Sequence, residues 1–240
     1  MGGMVAVFAL FHWSALALGS DRGQAGIVVG AIVTAAILAV ERLWFARTLA
    51  DAALAIGFGP PARSGLLASA VISALLLAVV PLYAAATGSH VTMIEQWWMR
   101  LPGLFAQAGI AEEALFRGYL FGHLRRGRSF WRAASTSMLP FAAVHLLMFF
   151  TMPWPVAAAS LLLALVISFP MAQLYELGRM TIWAPALLHF IVQGTIKSIR
   201  MDGDSAATFP LLWIAACAVV PLLTLLVPRP MNTAVHAERM

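Results

Sequence analysis

Residues 111–120 read AEEALFRGYL and set two carboxylates and a guanidinium, Glu112, Glu113 and Arg117, inside a stretch that is apolar on both sides. Two other apolar stretches each carry one imidazole: FAAVH ends in His145 and HFIVQ begins with His189. A carboxylate beside one or two imidazoles in a dry cavity is a base able to activate water. A second imidazole and an amide supply hydrogen bonds to a tetrahedral oxyanion. The same three residues, Glu112, His145 and His189, are also an adequate ligand set for zinc. Residue types alone leave the carboxylate and the metal routes both open.

Helical spacing sorts these groups by face. Glu113 and Arg117 are i,i+4 in the favourable acid-first order, so they predict a structural ion pair. Glu112 points about 100° away. It has only Phe116 at i+4 and needs a partner on another helix. His189 and Gln193 are i,i+4 and share a face, and Phe141 lies one turn before His145, where it can wall the site.

The elements that position them are membrane spans. The chain has 240 residues, of which 62% are hydrophobic and 10% charged, and its mean hydropathy is +0.88. Soluble domains are roughly 25% charged, so the composition excludes a soluble protein. A transmembrane barrel would show short alternating segments, and none is present. The expected class is all-α, a polytopic transmembrane helical bundle forming a single membrane domain over 1–240. Eight apolar segments are read as spans, at 3–19, 25–41, 64–86, 102–122, 133–151, 155–175, 181–197 and 209–227. The first lacks a basic leader region and is followed by further spans, so it reads as an uncleaved span. Residues 1–100 hold the N-terminal spans, 101–197 the catalytic core, and 198–240 the last span and a tail.

The net charge of +5 comes almost wholly from arginines flanking apolar runs. That placement sets topology and argues against nucleic acid as a partner. With the N-terminus inside, the inner loops and tail hold Arg42, Arg47, Arg63, Arg125, Arg126, Arg128, Arg132, Arg179, Arg229 and Arg239. The outer loops hold Arg22, Arg100, Lys197 and Arg200, which is ten against four. Both termini are therefore expected in the cytoplasm. The Arg-rich, Lys-poor usage suggests a bacterial inner (plasma) membrane. Cys217 is the only cysteine, which excludes an intrachain disulfide.

A charge at the centre of a span costs about 2.5–3.5 kcal/mol, and such residues face a bundle interior or a cavity. Counted from the inner ends of their spans at 1.5 Å per residue, Glu112, His145 and His189 lie ~15, ~18 and ~12 Å deep. Three separate segments thus bring an acid and two imidazoles to one level.

In this order, EEALFR, FAAVH and HFIVQ match E-E-x-x-x-R, F-x-x-x-H and, with one change, H-x-x-x-N. They resemble the CPBP intramembrane proteases, a family that includes the CAAX prenyl protease 2 type and relatives linked to bacteriocin maturation and immunity. The resemblance covers residues 100–195. It implies an intramembrane endopeptidase in which Glu112 polarises water, His145 helps hold that water, and His189 with Gln193 stabilises the oxyanion. Glu113, Arg117 and Phe141 complete the motifs. The family has been described both as glutamate and as metallo-type proteases, so no cofactor is certain and a divalent metal such as zinc stays open. The absence of HExxH favours the glutamate type. Gln193 departs from the family's Asn by one methylene, which displaces its donor by ~1 Å, an error that can cost about 10²-fold in rate.

The implied partners are the lipid bilayer and a membrane-anchored peptide or protein, with a prenylated tail, a bacteriocin leader and a sorting tail all open. Two other functions compete. A non-catalytic scaffold or immunity protein of the same fold is kept alive by Gln193. An ion-coupled transporter would favour inverted repeats and a second polar cluster, and the first three spans hold neither. His12 has no partner at its depth and reads as structural. Gly118 and Gly122 read as a close-packing pair, Pro140 and Pro185 as kinks before the histidines, and Asp202 with Asp204 as a solvated turn. Trp97 and Trp98 read as an interfacial belt.

Overall fold

The computed structural model describes residues 2–18 and 23–229. Arg22, Arg239 and the expected C-terminal tail from 230 onward lie outside the described residues. Nine helices follow in chain order among those described. They are α1 (Gly2–Ala17), α2 (Gln24–Trp44), α3 (Leu49–Ala55), α4 (Arg63–Thr87), α5 (97–125), α6 (Phe130–Phe150), α7 (Trp154–Leu177), α8 (Trp183–Ser198) and α9 (Ser205–Leu226).

Five of these, α2, α4, α6, α7 and α9, are long and apolar enough to cross a membrane. The protein is an integral membrane protein of the all-helical class. The other three apolar segments are also helical, but eight full-length spans are not reached. The apolar part of α1 covers only Val5–Ser14. α8 has 16 residues, and α5 breaks its apolar run with Glu112, Glu113 and Arg117. α5 and α8 pack among the long helices, where protein replaces lipid around their polar groups, whereas α1 lies against α2 and is largely exposed.

Two elements were not legible. Thr48 starts the short α3 through a capping box: its Oγ1 accepts from the Asp51 N–H at 3.1 Å, and its N–H donates to Asp51 Oδ2 at 3.0 Å. A two-stranded antiparallel ribbon, β1 (Val91–Met93) with β2 (Ile199–Met201), pairs Val91 with Met201. It joins the α4–α5 and α8–α9 connections, which the arginine distribution set on one side. The opposite end is tied by an Arg125–Glu176 ion pair and by Arg229. The Arg229 Nε donates to Gln173 Oε1 at 2.6 Å, and its guanidinium lies 3.7 Å from the Phe130 ring. The Ile182 N–H also donates to the Gly57 carbonyl there, at 3.0 Å.

α5 corrects the expectation of a regular α-helix. It is α-helical over Trp97–Leu104, π-helical over Phe105–Ala111 and Ala114–Phe121, and α-helical again over Gly122–Arg125. The Glu112 N–H reaches the Gln107 carbonyl and the Gly122 N–H reaches that of Arg117, both five residues back. Such π segments are rare and cluster at functional sites. Close packing accompanies them. A Cβ on Gly118 would sit 2.1 Å from the Ile56 carbonyl oxygen at the end of α3, and one on Gly26 would sit 2.6 Å from the Gly103 carbonyl oxygen. A Cβ on Gly122 would meet nothing closer than the Tyr175 hydroxyl, at 3.4 Å, so the contact expected of the glycine pair rests on Gly118. Pro185 is the third residue of α8. A first-turn N–H has no intrahelical partner, so this proline removes no bond and does not kink the helix. Pro140 does lie inside its helix, which tightens to a 3-10 turn directly after His145.

Candidate active site

α5, α6 and α8 converge on one polar cluster. Glu113 is fully buried, and its Oε1 accepts from Arg117 at 3.0 Å and from His189 Nδ1 at 2.6 Å. A carboxylate only accepts, so Nδ1 is the protonated nitrogen of His189. Arg117 is buried too, with its guanidinium 4.4 Å from the centre of the Phe141 ring. The expected ion pair is thus present, but it is joined to the histidine set instead of standing apart from it. Spacing pairs Glu113 with Arg117; it does not show that α8 approaches from the same direction.

The other edge of His189 faces Gln193 and Glu112. Its Nε2 lies 3.0 Å from Gln193 Nε2 and 3.7 Å from Glu112 Oε2. The first is a hydrogen bond; the second is too long for one. Glu112 therefore faces a polar group of another helix, as its own face requires. Its carboxylate makes no hydrogen bond among the described residues and keeps 14% of its side-chain exposure.

Phe141 forms the wall. Its ring stands edge-on to His145 at 5.0 Å, to His189 at 6.4 Å and to Phe116 at 4.9 Å between centroids. His145 Nδ1 lies 2.8 Å from the Phe141 carbonyl, which can only accept, so this nitrogen also carries its proton. Nε2 of His145 is then an acceptor with no hydrogen bond among the described residues. His145 lies within electrostatic reach of Glu112, His189 and Arg117. The cluster so contains every residue singled out in the sequence: Glu112, Glu113, Arg117, Phe141, His145, His189 and Gln193. His12 instead packs against the rings of Phe8 and Trp13.

Two polar features were missed. Lys197, assigned to an outer loop, lies in the last turn of α8, and its ammonium donates to Gln193 Oε1. The signal was available, since 189, 193 and 197 continue one i,i+4 row. Glu41, read as the end of a span, is buried in α2 with Oε2 3.4 Å from His123 Nε2.

Among the described residues no group of three or more His, Cys, Asp or Glu side chains is placed to hold a metal ion. Glu113 Oε1 and both nitrogens of His189 make hydrogen bonds to protein groups, whereas Glu113 Oε2 is enclosed without one. Catalytic zinc sites use three protein ligands, and Glu112, His145 and His189 are not placed as such a group here.

Residues 94–195 match the family model described as Rce1-like, type II CAAX prenyl endopeptidase Rce1-like. That stretch includes all seven clustered residues. A search of the curated proteins finds no match.

Proposed function

Since the chain belongs, through residues 94–195, to the CAAX protease family, we propose that it is an intramembrane endopeptidase that hydrolyses a peptide bond of a membrane-anchored substrate with water activated by Glu112. The observation that carries this reading is a pair of open acceptors at the partly exposed edge of the cluster, the Glu112 carboxylate and Nε2 of His145, whereas the unbonded Oε2 of Glu113 is enclosed. A water between them donates one hydrogen to each. Glu112 takes the proton as the oxygen attacks the scissile carbonyl, and later delivers it to the leaving amine.

The oxyanion is met by the second amide hydrogen of Gln193, the first being directed at His189. His189 orients that amide and, through Glu113, the face of α5 that carries Glu112. Arg117 neutralises Glu113, so Glu112 remains the reactive carboxylate. No step passes through a metal. Both termini are on the cytoplasmic side, a reading that the arginine-rich connections at one end of the bundle support.

The test is cleavage of co-expressed membrane-anchored substrates, including a prenylated tail, by wild type, Glu112→Ala and His145→Ala. Loss in both folded variants is the expected result. Absence of cleavage by wild type across the panel would return the chain to a non-catalytic scaffold.

A further inference from the structure

Lys197, Gln193, His189, Glu113 and Arg117 form one unbroken row of polar contacts, and the chemistry of its two ends dictates the direction of every bond between. An ammonium has three donors and no acceptor. The Gln193 atom that meets Lys197 is therefore the carbonyl Oε1. The amide nitrogen is then the atom turned toward His189, 3.0 Å from its Nε2. That nitrogen can only donate, so Nε2 must accept and carries no hydrogen. The hydrogen lies on Nδ1, 2.6 Å from Glu113 Oε1. At the far end Arg117, also donor-only, holds the same Glu113 oxygen at 3.0 Å. The charges agree with this assignment: Glu112 and Glu113 balance Arg117 and Lys197, two against two, with His189 neutral.

We propose that Lys197 is a positioning residue that fixes the amide of Gln193 and thereby holds His189 in its Nδ1–H tautomer. An amide left to itself can present either end to an imidazole. With the ends exchanged, Oε1 would face His189 Nε2, draw the hydrogen to that nitrogen and leave Nδ1 as an acceptor against the Glu113 carboxylate. Lys197 forbids that arrangement, because the amide nitrogen would then face an ammonium. The fixed orientation also keeps an Nε2–H from forming beside Glu112 Oε2, 3.7 Å away, where it would take up the carboxylate. Lys197 thus keeps Glu112 open and aims the amide of Gln193 without touching substrate. The catalytic consequence rests on the endopeptidase reading; the tautomer does not.

The experiment is nitrogen-15 NMR of the full-length protein in lipid nanodiscs, labelled at the histidine rings. His189 is assigned by its loss in His189→Gln. Wild type should show a single neutral Nδ1–H imidazole. Lys197→Met should give a mixture of the two tautomers, and Lys197→Arg, again donor-only, should restore the wild-type pattern. Gln193→Glu, which presents an acceptor, should place a hydrogen on Nε2. In the cleavage assay Lys197→Met should lower kcat on the order of 10²-fold with KM little changed, and Lys197→Arg should recover it. An Nε2–H tautomer in wild type, or a His189 spectrum unchanged in Lys197→Met, overturns the proposal. If Lys197→Met fails to fold, Gln193→Glu decides alone, an unchanged spectrum being the contrary result. If wild type cleaves nothing while the spectra behave as stated, the endopeptidase reading fails and the role of Lys197 in orienting His189 stands.

Discussion

His189 donates through Nδ1 to the same Glu113 oxygen that accepts from Arg117, at 2.6 Å and 3.0 Å. This shared oxygen ties α8 to α5 and gives the two adjacent glutamates different environments. Glu113 is enclosed and hydrogen-bonded, whereas Glu112, one residue earlier, accepts no hydrogen bond among the described residues and is partly open. Adjacent carboxylates in one apolar helix are therefore not interchangeable, and their variants should fail in different ways.

Glu112→Gln should reduce cleavage by ~10²–10⁴-fold, the range contributed by a positioned acid–base group, while leaving thermal unfolding near that of wild type. Glu113→Gln removes the partner of a buried guanidinium. Breaking such a pair costs about 3–5 kcal/mol, so this variant should unfold at clearly lower temperature and lose activity through the fold. Thermal unfolding in detergent beside a cleavage assay separates the two. Equal melting temperatures for both variants would contradict the division of roles.

Phe141→Leu keeps an apolar wall but removes the ring beneath Arg117. A cation over an aromatic face contributes roughly 0.5–2 kcal/mol. The expected outcome is a stability loss of that size and reduced cleavage, because His145 and His189 both stand edge-on to the same ring. Phe141→Tyr should retain the stacking and most of the stability. A double-mutant cycle with Arg117→Met measures the coupling, and a coupling near zero would remove the ring–cation contact from the account.

Chelation supplies a third test. Catalytic zinc sites use three protein ligands, and among the described residues Glu112, His145 and His189 are not placed as such a group. Cleavage by the purified protein should therefore survive dialysis against EDTA and 1,10-phenanthroline, with activity within about twofold of the untreated enzyme. Loss of activity that zinc restores would replace the carboxylate route by a metal route.

Much of the site could be read from the chain because each motif is local. Glu113 with Arg117, and His189 with Gln193, are one helical turn apart, and the depth estimate brought Glu112, His145 and His189 to one level. What could not be read is which face each helix turns to its neighbour. The π segments of α5 carry one extra residue per hydrogen-bonded turn, so the 100° rule that separated Glu112 from Glu113 describes that helix poorly. The role of Lys197 was hidden by a boundary: at the end of the 181–197 segment it was counted with the outer loop, yet it lies in the last turn of a helix that runs to Ser198. Glu41 and Glu176 likewise lie at span ends, where a partner from another element, His123 or Arg125, permits burial. The β1–β2 ribbon spans three residues per strand and gives no periodicity to detect. The count of eight spans is matched by five helices of full length and apolarity; α5 and α8 are partly sheltered by protein, and hydropathy measures suitability for lipid and not for a bundle interior.

The tight approach at Gly118 yields the last prediction. A methyl group there would lie 2.1 Å from the Ile56 carbonyl oxygen, a backbone atom that cannot rotate away. Gly118→Ala must therefore push α5 and the end of α3 apart. Overpacking of this kind costs roughly 1–3 kcal/mol, enough to lower the melting temperature measurably. Because Gly118 adjoins Arg117, the displacement should also loosen the Glu113–His189 contact, and cleavage should fall by more than the folded fraction does. Gly122→Ala is the control, since its methyl meets no atom closer than 3.4 Å, an ordinary contact distance. It should leave both stability and cleavage close to wild type. Equal losses in the two variants would mean that the Gly118–Ile56 approach does not govern the position of the site.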